Sequence, residues 1–298
     1  MTRLFTLVFA PKTSKKTVRD MLKEMMVNSV IQHIEDNLEN YFITIENLVT
    51  YSGYSRRYLQ LTFKQSMGIP VGKYIRLRRA SRAAALLKLT KLSILDISER
   101  LLYDSQQTFA REFRKIIGCT PMQYRNEACW QLEKLLGRKY VNETYLTPVL
   151  CHLDKKKVFG KIFDHKELIL YTGVDIKTRW GRMHPHINRH EKITVSNRIP
   201  FNNKGDITAR TVLWTDEKAS NCCITIEGGM YAHFSFQCRM DEYMDFMYKI
   251  YYNSLPMHNL NKRDAYDIEH ISVSNLASDT ILTCDIYLPV YEADNLNF

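Results

Sequence analysis

The 298-residue chain contains no C-x-x-C pair, no glycine-rich phosphate loop and no G-x-S-x-G elbow. The last two absences leave it without the common signatures of nucleotide hydrolases and esterases. Its seven cysteines, Cys119, Cys129, Cys151, Cys222, Cys223, Cys238 and Cys284, are odd in number and scattered. That pattern argues against a disulfide framework or a zinc module and fits a reducing cytosol. No apolar run reaches the length of a membrane span. The opening MTRLFTLVFAPKTSKK has a brief apolar stretch but no small-residue cleavage site. Residues 1–20 are therefore read as a loosely ordered basic extension, with Met21, Met25 and Met26 as alternative later starts. His184, His186 and His190 lie close together without the spacing of a known finger, and neither a metal nor another cofactor is expected.

What the chain does have is an uneven charge. The formal net charge is +10, and residues 1–130 hold 21 Lys and Arg against 11 Asp and Glu, while residues 131–298 hold 21 of each. The whole excess sits in the first half. A basic module gains affinity for a polyanion by releasing condensed counterions, so nucleic acid is the expected partner of that half.

The basic half also repeats a pattern. Val27, Val30, Ile31, Ile34 and Leu38 follow a helical period, Thr44 caps a second helix, Gly53 marks a tight turn, and Ser55 caps a third running from Arg56 to Ser66. With Leu59, Thr62 and Phe63 turned inward, Arg56, Arg57, Gln60, Leu61 and Lys64 look outward. Val71 to Leu89 predicts a helix of roughly 30 Å, close to one turn of B-DNA at about 34 Å. Then Ser93 to Asp96 forms a capping box, Ile94, Ile97 and Leu101 give a buried stripe, and Ser105 opens another helix with Phe109 and Phe113 inward. Gln106, Gln107, Thr108 and Arg111 lie in its first two turns, and Gln and Arg are side chains that read base edges. One such polar face is commonly a solvated face. Two in tandem, surrounded by the charge excess, predict two recognition helices in one chain.

The residues SGYS, YLQ, YIR, ILDI, DSQQTFAREF and GCTPMQYR, spread from Ser52 to Arg125, resemble the AraC/XylS DNA-binding domain, and within it the MarA/SoxS/Rob subgroup. The resemblance implies a monomer on asymmetric promoter sites, base reading by Arg57, Gln60, Leu61, Gln106, Gln107, Thr108 and Arg111, and contact with RNA polymerase. Those relatives carry Trp and Arg where this chain has Arg57 and Leu61, so the first half-site is expected to differ. Leu102 replaces a Gly common in the wider family, a change the fold should survive. Phosphates are assigned to amides near Ser55 and Ser105 and to Arg56, Lys64, Arg76 and Arg114.

In the neutral half VLCHL, KVFGKIF, LILYTGV, ARTVLW, CCITI, MYAHFSF and ILTCDIYLPV alternate as strands do, and Asp241 to Asn253 reads as an amphipathic helix. Cys222 and Cys223 should face opposite sides of their strand. The class is α+β with an antiparallel sheet, after an all-α tandem helix-turn-helix unit of about seven helices. Boundaries are set at 21–128 for the DNA-binding part, 129–136 for a linker without Gly/Ser or Pro enrichment, and 137–298 for the sheet part. Gly228-Gly229, Leu260, Arg263, Asp267-Ile268-Glu269 and Leu288-Pro289 resemble a GyrI-like effector domain, which implies a cleft for a small apolar or cationic molecule with Glu269 facing it. The alternative for Glu269 is a surface salt bridge with Lys262 or Arg263. Two other readings of this half are a ligand-free interaction module and a small-molecule hydrolase using a Tyr and a Glu, with the Tyr unassigned. A cytoplasmic, nucleoid-associated regulator is expected.

Overall fold

The computed structural model describes residues 17–127, 130–132, 134–166, 183, 192–198, 208–276 and 279–292. Residues 1–16, Cys129, the LILYTGV run at 168–174, and His184, His186 and His190 lie outside them. The first half is helical: α1 (Val18–Asn37), α2 (Ile45–Ser52), α3 (Arg56–Met67), α4 (Val71–Leu89), α5 (Ile94–Arg100), α6 (Gln106–Ile117) and α7 (Pro121–Asn126). Local chemistry accounts for most of these limits. Thr44, Ser55, Ser93, Ser105 and Thr120 each accept a hydrogen bond from a backbone N–H of the helix they open. Gly68 and Gly118 close the two twelve-residue helices α3 and α6 in the left-handed region. α1 begins earlier than its buried period suggests, so Val18 to Asp20, assigned above to the extension, form its first turn behind the Thr17 cap.

The two helix-turn-helix turns are built differently. After α2 the chain reverses at Gly53, φ 72°, whereas after α5 it reverses at Leu102, φ 61°. The left-handed conformation costs a residue with a Cβ about 1–2 kcal/mol. The fold therefore survives the loss of glycine there by holding a leucine in strain.

The second half is an antiparallel sheet built from β1 (Val149–Leu153), β2 (Lys156–Lys166), β3 (Lys192–Arg198), β4 (Thr208–Trp214), β5 (Cys222–Ile226), β6 (Gly229–Arg239), β7 (Leu260–Lys262), β8 (Asp267–Leu276) and β9 (Asp279–Glu292). Their order is β1-β6-β9-β8-β3-β4-β2-β5, with β7 on β9. Two units share one topology: β4 lies between β2 and β3, and β9 lies between β6 and β8. They meet where β3 pairs with β8, and Val195 opposite Glu269 stands near the middle of that seam. The expected 241–253 helix is divided into α8 (Tyr243–Lys249) and a π-helical turn, Ile250–Ser254.

The segment between the halves is no exposed strap. Trp130, Leu132 and Leu135 are buried in a core shared by α4 to α7, α8 and the sheet. Trp130 bridges to Lys262, and Leu132 N–H donates to Asn261. Gly137 passes so close to the π turn that an added Cβ would stand 2.6 Å from the Tyr252 carbonyl oxygen and 1.6 Å from Asn253 Oδ1. From the other side, Tyr140 and Val141 bond to Gln32 and Asn28 of α1.

Two outcomes are expected in urea unfolding. Leu102→Gly should leave stability unchanged or raise it by up to about 1 kcal/mol, because relief of strain offsets the lost side chain; a larger loss would show that the leucine side chain itself holds the turn. Gly137→Ala should cost about 1–3 kcal/mol through overpacking, and an unchanged midpoint would contradict the close approach.

Candidate nucleic-acid interface and effector site

The assigned base-reading residues fall on two exposed helix faces. On α3, Leu59, Thr62 and Phe63 are buried, which turns Arg57, Gln60 and Leu61 to solvent, Leu61 to 53 % of its surface. A leucine this exposed on a polar face gains nothing from the core. On α6, Phe109, Phe113 and Ile117 are buried, while Gln106, Gln107 and Arg111 are exposed and Thr108 is half-buried. The Ser105 hydroxyl accepts from the Thr108 N–H and donates to the Thr108 hydroxyl at 3.0 Å, which fixes the first turn of α6.

The phosphate candidates divide into two groups. Lys64 and Arg114 are exposed on α3 and α6, and Arg56 is exposed but pairs with Glu46 at 3.0 Å. Arg76, on α4, is brought beside α6: a groove of about 560 Å³ is lined by Lys73, Arg76, Leu77, Thr108, Arg111, Glu112, Lys115 and Ile116. Four cations against one carboxylate suit the backbone of a polyanion. Arg76 and Arg111, assigned above to phosphate and base respectively, line one groove together with Lys73 and Lys115, whose helical spacing on α4 and α6 is the sequence signal for it.

α4 is fixed from behind by Arg78, only 5 % exposed. Its guanidinium donates through Nε and Nη2 to both Glu35 oxygens at 2.8 and 2.7 Å, through Nη1 to the Leu136 carbonyl, and through Nη2 to the Tyr248 hydroxyl at 2.8 Å. Burial raises the Tyr248 pKa against the lowering pull of Arg78, so the phenol stays protonated.

In the sheet part Glu269 is 2 % exposed, which overturns the surface salt-bridge alternative. The two bases proposed for it are engaged elsewhere. Lys262 pairs with Asp267 at 2.7 Å, and Arg263 donates to the carbonyls of Gly228, Met230 and Val290. Alternation along β8 instead turns Asp267, Glu269 and Ile271 toward α8. Glu269 accepts from the Tyr243 hydroxyl and from Asn197 Nδ2, each at 2.5 Å, and is flanked in register by the fully buried Val195 and Ile286. Tyr251 makes the parallel bond to Asp267, also 2.5 Å. The hydroxyl of Tyr243 is thus placed on Glu269 from 26 residues away in sequence. Cys222 packs in a small core on the other face of the sheet, and Cys223 is exposed, as alternation requires.

Comparison with known proteins places both halves. Residues 48–127 match a helix-turn-helix domain and residues 154–291 a GyrI-like small molecule binding domain. The chain is 52 % identical to the F1 operon positive regulatory protein of Yersinia pestis over 93 % of its own length and 92 % of that protein's. It is 27 % identical to the right origin-binding protein of Escherichia coli K12 over 83 % of this chain and 92 % of that one. The HTH-type transcriptional activator AarP of Providencia stuartii is 37 % identical over 34 % of this chain and 73 % of its own. With tandem helix-turn-helix units, a GyrI-like sheet domain and a relative matched over nearly its full length, this chain belongs to the AraC/XylS family of DNA-binding transcription regulators.

Proposed function

We propose that this chain is a transcription activator that binds an asymmetric promoter site as a monomer, with α3 and α6 in successive major grooves and RNA polymerase as its protein partner. The observation that carries this reading is the pair of exposed polar faces on α3 and α6, joined by the 19-residue α4. At about 1.5 Å per residue α4 spans roughly 28 Å, somewhat under one turn of B-DNA. Gln106, Gln107, Thr108 and Arg111 read bases in one groove and Arg57, Gln60 and Leu61 in the other. Arg56, Lys64, Arg76 and Arg114, with the amides that follow Ser55 and Ser105, hold phosphates. Activation is supported by the printed roles of two relatives, a positive regulatory protein and a transcriptional activator. Residues 21–128 carry out the DNA binding in the cytoplasm, on the nucleoid, with 129–136 leading into the sheet part.

Residues 137–298 take a small apolar or cationic molecule at Glu269. A carboxylate between Val195 and Ile286 carries a desolvation cost that a positive charge offsets. Tyr243 supports a second reading, hydrolysis of a small molecule by a Tyr and Glu pair, since its hydroxyl lies 2.5 Å from Glu269. Turnover of a candidate ester by the full chain, lost in Glu269→Gln, would select that reading; saturable binding without turnover selects the effector site.

Footprinting on sites selected from a random library tests the DNA claims. Protection should extend over about two helical turns. Gln107→Ala should cost about 1–3 kcal/mol and relax preference at one base position, whereas Arg76→Ala should weaken all sequences alike and lower the salt slope by about one. Leu61→Arg should change the selected bases in the α3 half-site and leave the α6 half-site as it was. Binding that ignores sequence in the unaltered chain would defeat the proposal.

A further inference from the structure

α8 touches both halves of the molecule, and its contacts are divided between them. On its sheet side Tyr243 holds Glu269, and in the π turn that follows Tyr251 holds Asp267; both acids belong to β8. On its other side Tyr248 accepts from Arg78 of α4 at 2.8 Å and from the backbone N–H of Arg138 at 2.6 Å. Asp245, in the same helix, pairs with Arg138 at 2.5 Å and with Lys249 at 2.7 Å, and Lys249 pairs with Glu143 at 2.9 Å. Tyr243 and Tyr248 stand five positions apart, or about 7.5 Å along a helix axis. Arg78 in turn lies two residues beyond Arg76, which lines the groove shared with Arg111. The Glu269 site and the DNA-facing surface are thus joined through one short helix and one buried arginine.

We propose that α8 is the coupling element between the two halves: occupancy of the Glu269 site and binding of DNA by α4 and α6 change each other's affinity through the Tyr243–Tyr248–Arg78 connection. This rests on the reading of Glu269 as an effector site. A cation at Glu269 competes with the Tyr243 hydroxyl for the carboxylate. Once that bond is lost, the first turn of α8 is held less tightly on β8, while Tyr251 on Asp267 keeps the far end in place as a pivot. The π turn at Ile250–Ser254 is a suitable hinge, because a π-helical turn already departs from the α-helical hydrogen-bond pattern. Movement at Tyr248 then withdraws a partner from Arg78, and a buried guanidinium cannot lose a partner without its neighbours adjusting. α4 is the spacer of the two recognition helices, so the adjustment is felt in their relative setting. By linkage the effect is reciprocal: DNA that favours one setting of α4 alters cation affinity by the same factor.

The test is hydrogen exchange of the full chain, read at the α4 amides from Ala80 to Leu86 and at α8. Tyr243→Phe removes the donor and keeps the ring; Glu269→Gln keeps the shape and removes the charge. Each should speed exchange in α4 by about fivefold, the effect of one lost hydrogen bond. Saturating tetraphenylphosphonium, used as a lipophilic cation probe, should do the same in the unaltered chain and shift its DNA affinity by about fivefold or more. In a Tyr248→Phe background, where Arg78 has lost that acceptor, all three effects on α4 should disappear while those on α8 remain. Exchange that changes in α8 but never in α4, or effects on α4 that persist undiminished with Tyr248→Phe, would overturn the coupling. If the probe fails to bind yet Tyr243→Phe still reaches α4 through Tyr248, the coupling stands and the cationic-effector reading falls.

Discussion

The burial of the Arg78 guanidinium is the constraint around which the rest is arranged. A guanidinium presents five N–H donors in a fixed plane and cannot be neutralised, so taking it out of water demands acceptors on several sides at once. Glu35 supplies a bidentate carboxylate from α1, Leu136 a carbonyl from the connecting segment and Tyr248 a hydroxyl from α8. Four parts of the chain, far apart in sequence, must converge for that charge to be tolerated. The second helix-turn-helix unit and one face of the sheet share a core into which the connecting segment is packed by Trp130, Leu132 and Leu135, while α1 to α3 gather a core of their own.

Where structure is decided by neighbours within a few residues, it was legible. Ser55, Ser93 and Ser105 declare the helix starts, and the inward set Leu59, Thr62, Phe63, Phe109 and Phe113 follows from period alone. The start of α1 was not, because Val18, Met21, Leu22 and Met25 are exposed and give no buried stripe to count. β3 was missed altogether: KITVSNR places Thr194, Ser196 and Asn197 in the middle of a sheet, where Asn197 donates to Glu269 and Ser196 accepts from Trp214. Polar residues that look like a loop become strand residues once partners from other strands satisfy them. For the same reason the pairing of Tyr243 with Glu269 and the tie from Tyr248 to Arg78 had no local signal. Both depend on how α8 is laid across β8 and against α4.

The two helix-turn-helix units differ in their backbone as well as in their reading faces. The first turn uses Gly53 and the second places Leu102 in the same left-handed region. α6 has its first turn fixed by the Ser105 and Thr108 hydroxyls and shares a basic groove with α4, while α3 presents Leu61 among polar neighbours. One copy is more firmly tied to the spacer helix than the other.

The sheet carries a second duplication, and its seam has a consequence of stoichiometry. The two β-units meet with Val195 opposite Glu269, so at that step of the seam a carboxylate of one unit faces a methyl surface of the other. Two adjoining carboxylates in so dry a place would share a proton, and the seam would titrate as a dyad. With valine in one unit, the carboxylate at that step belongs to one unit alone, and the seam has a sense of direction. The two surfaces that the repeated units turn to each other at that step are therefore unlike, and the internal repeat of the backbone does not carry over into the chemistry of its seam.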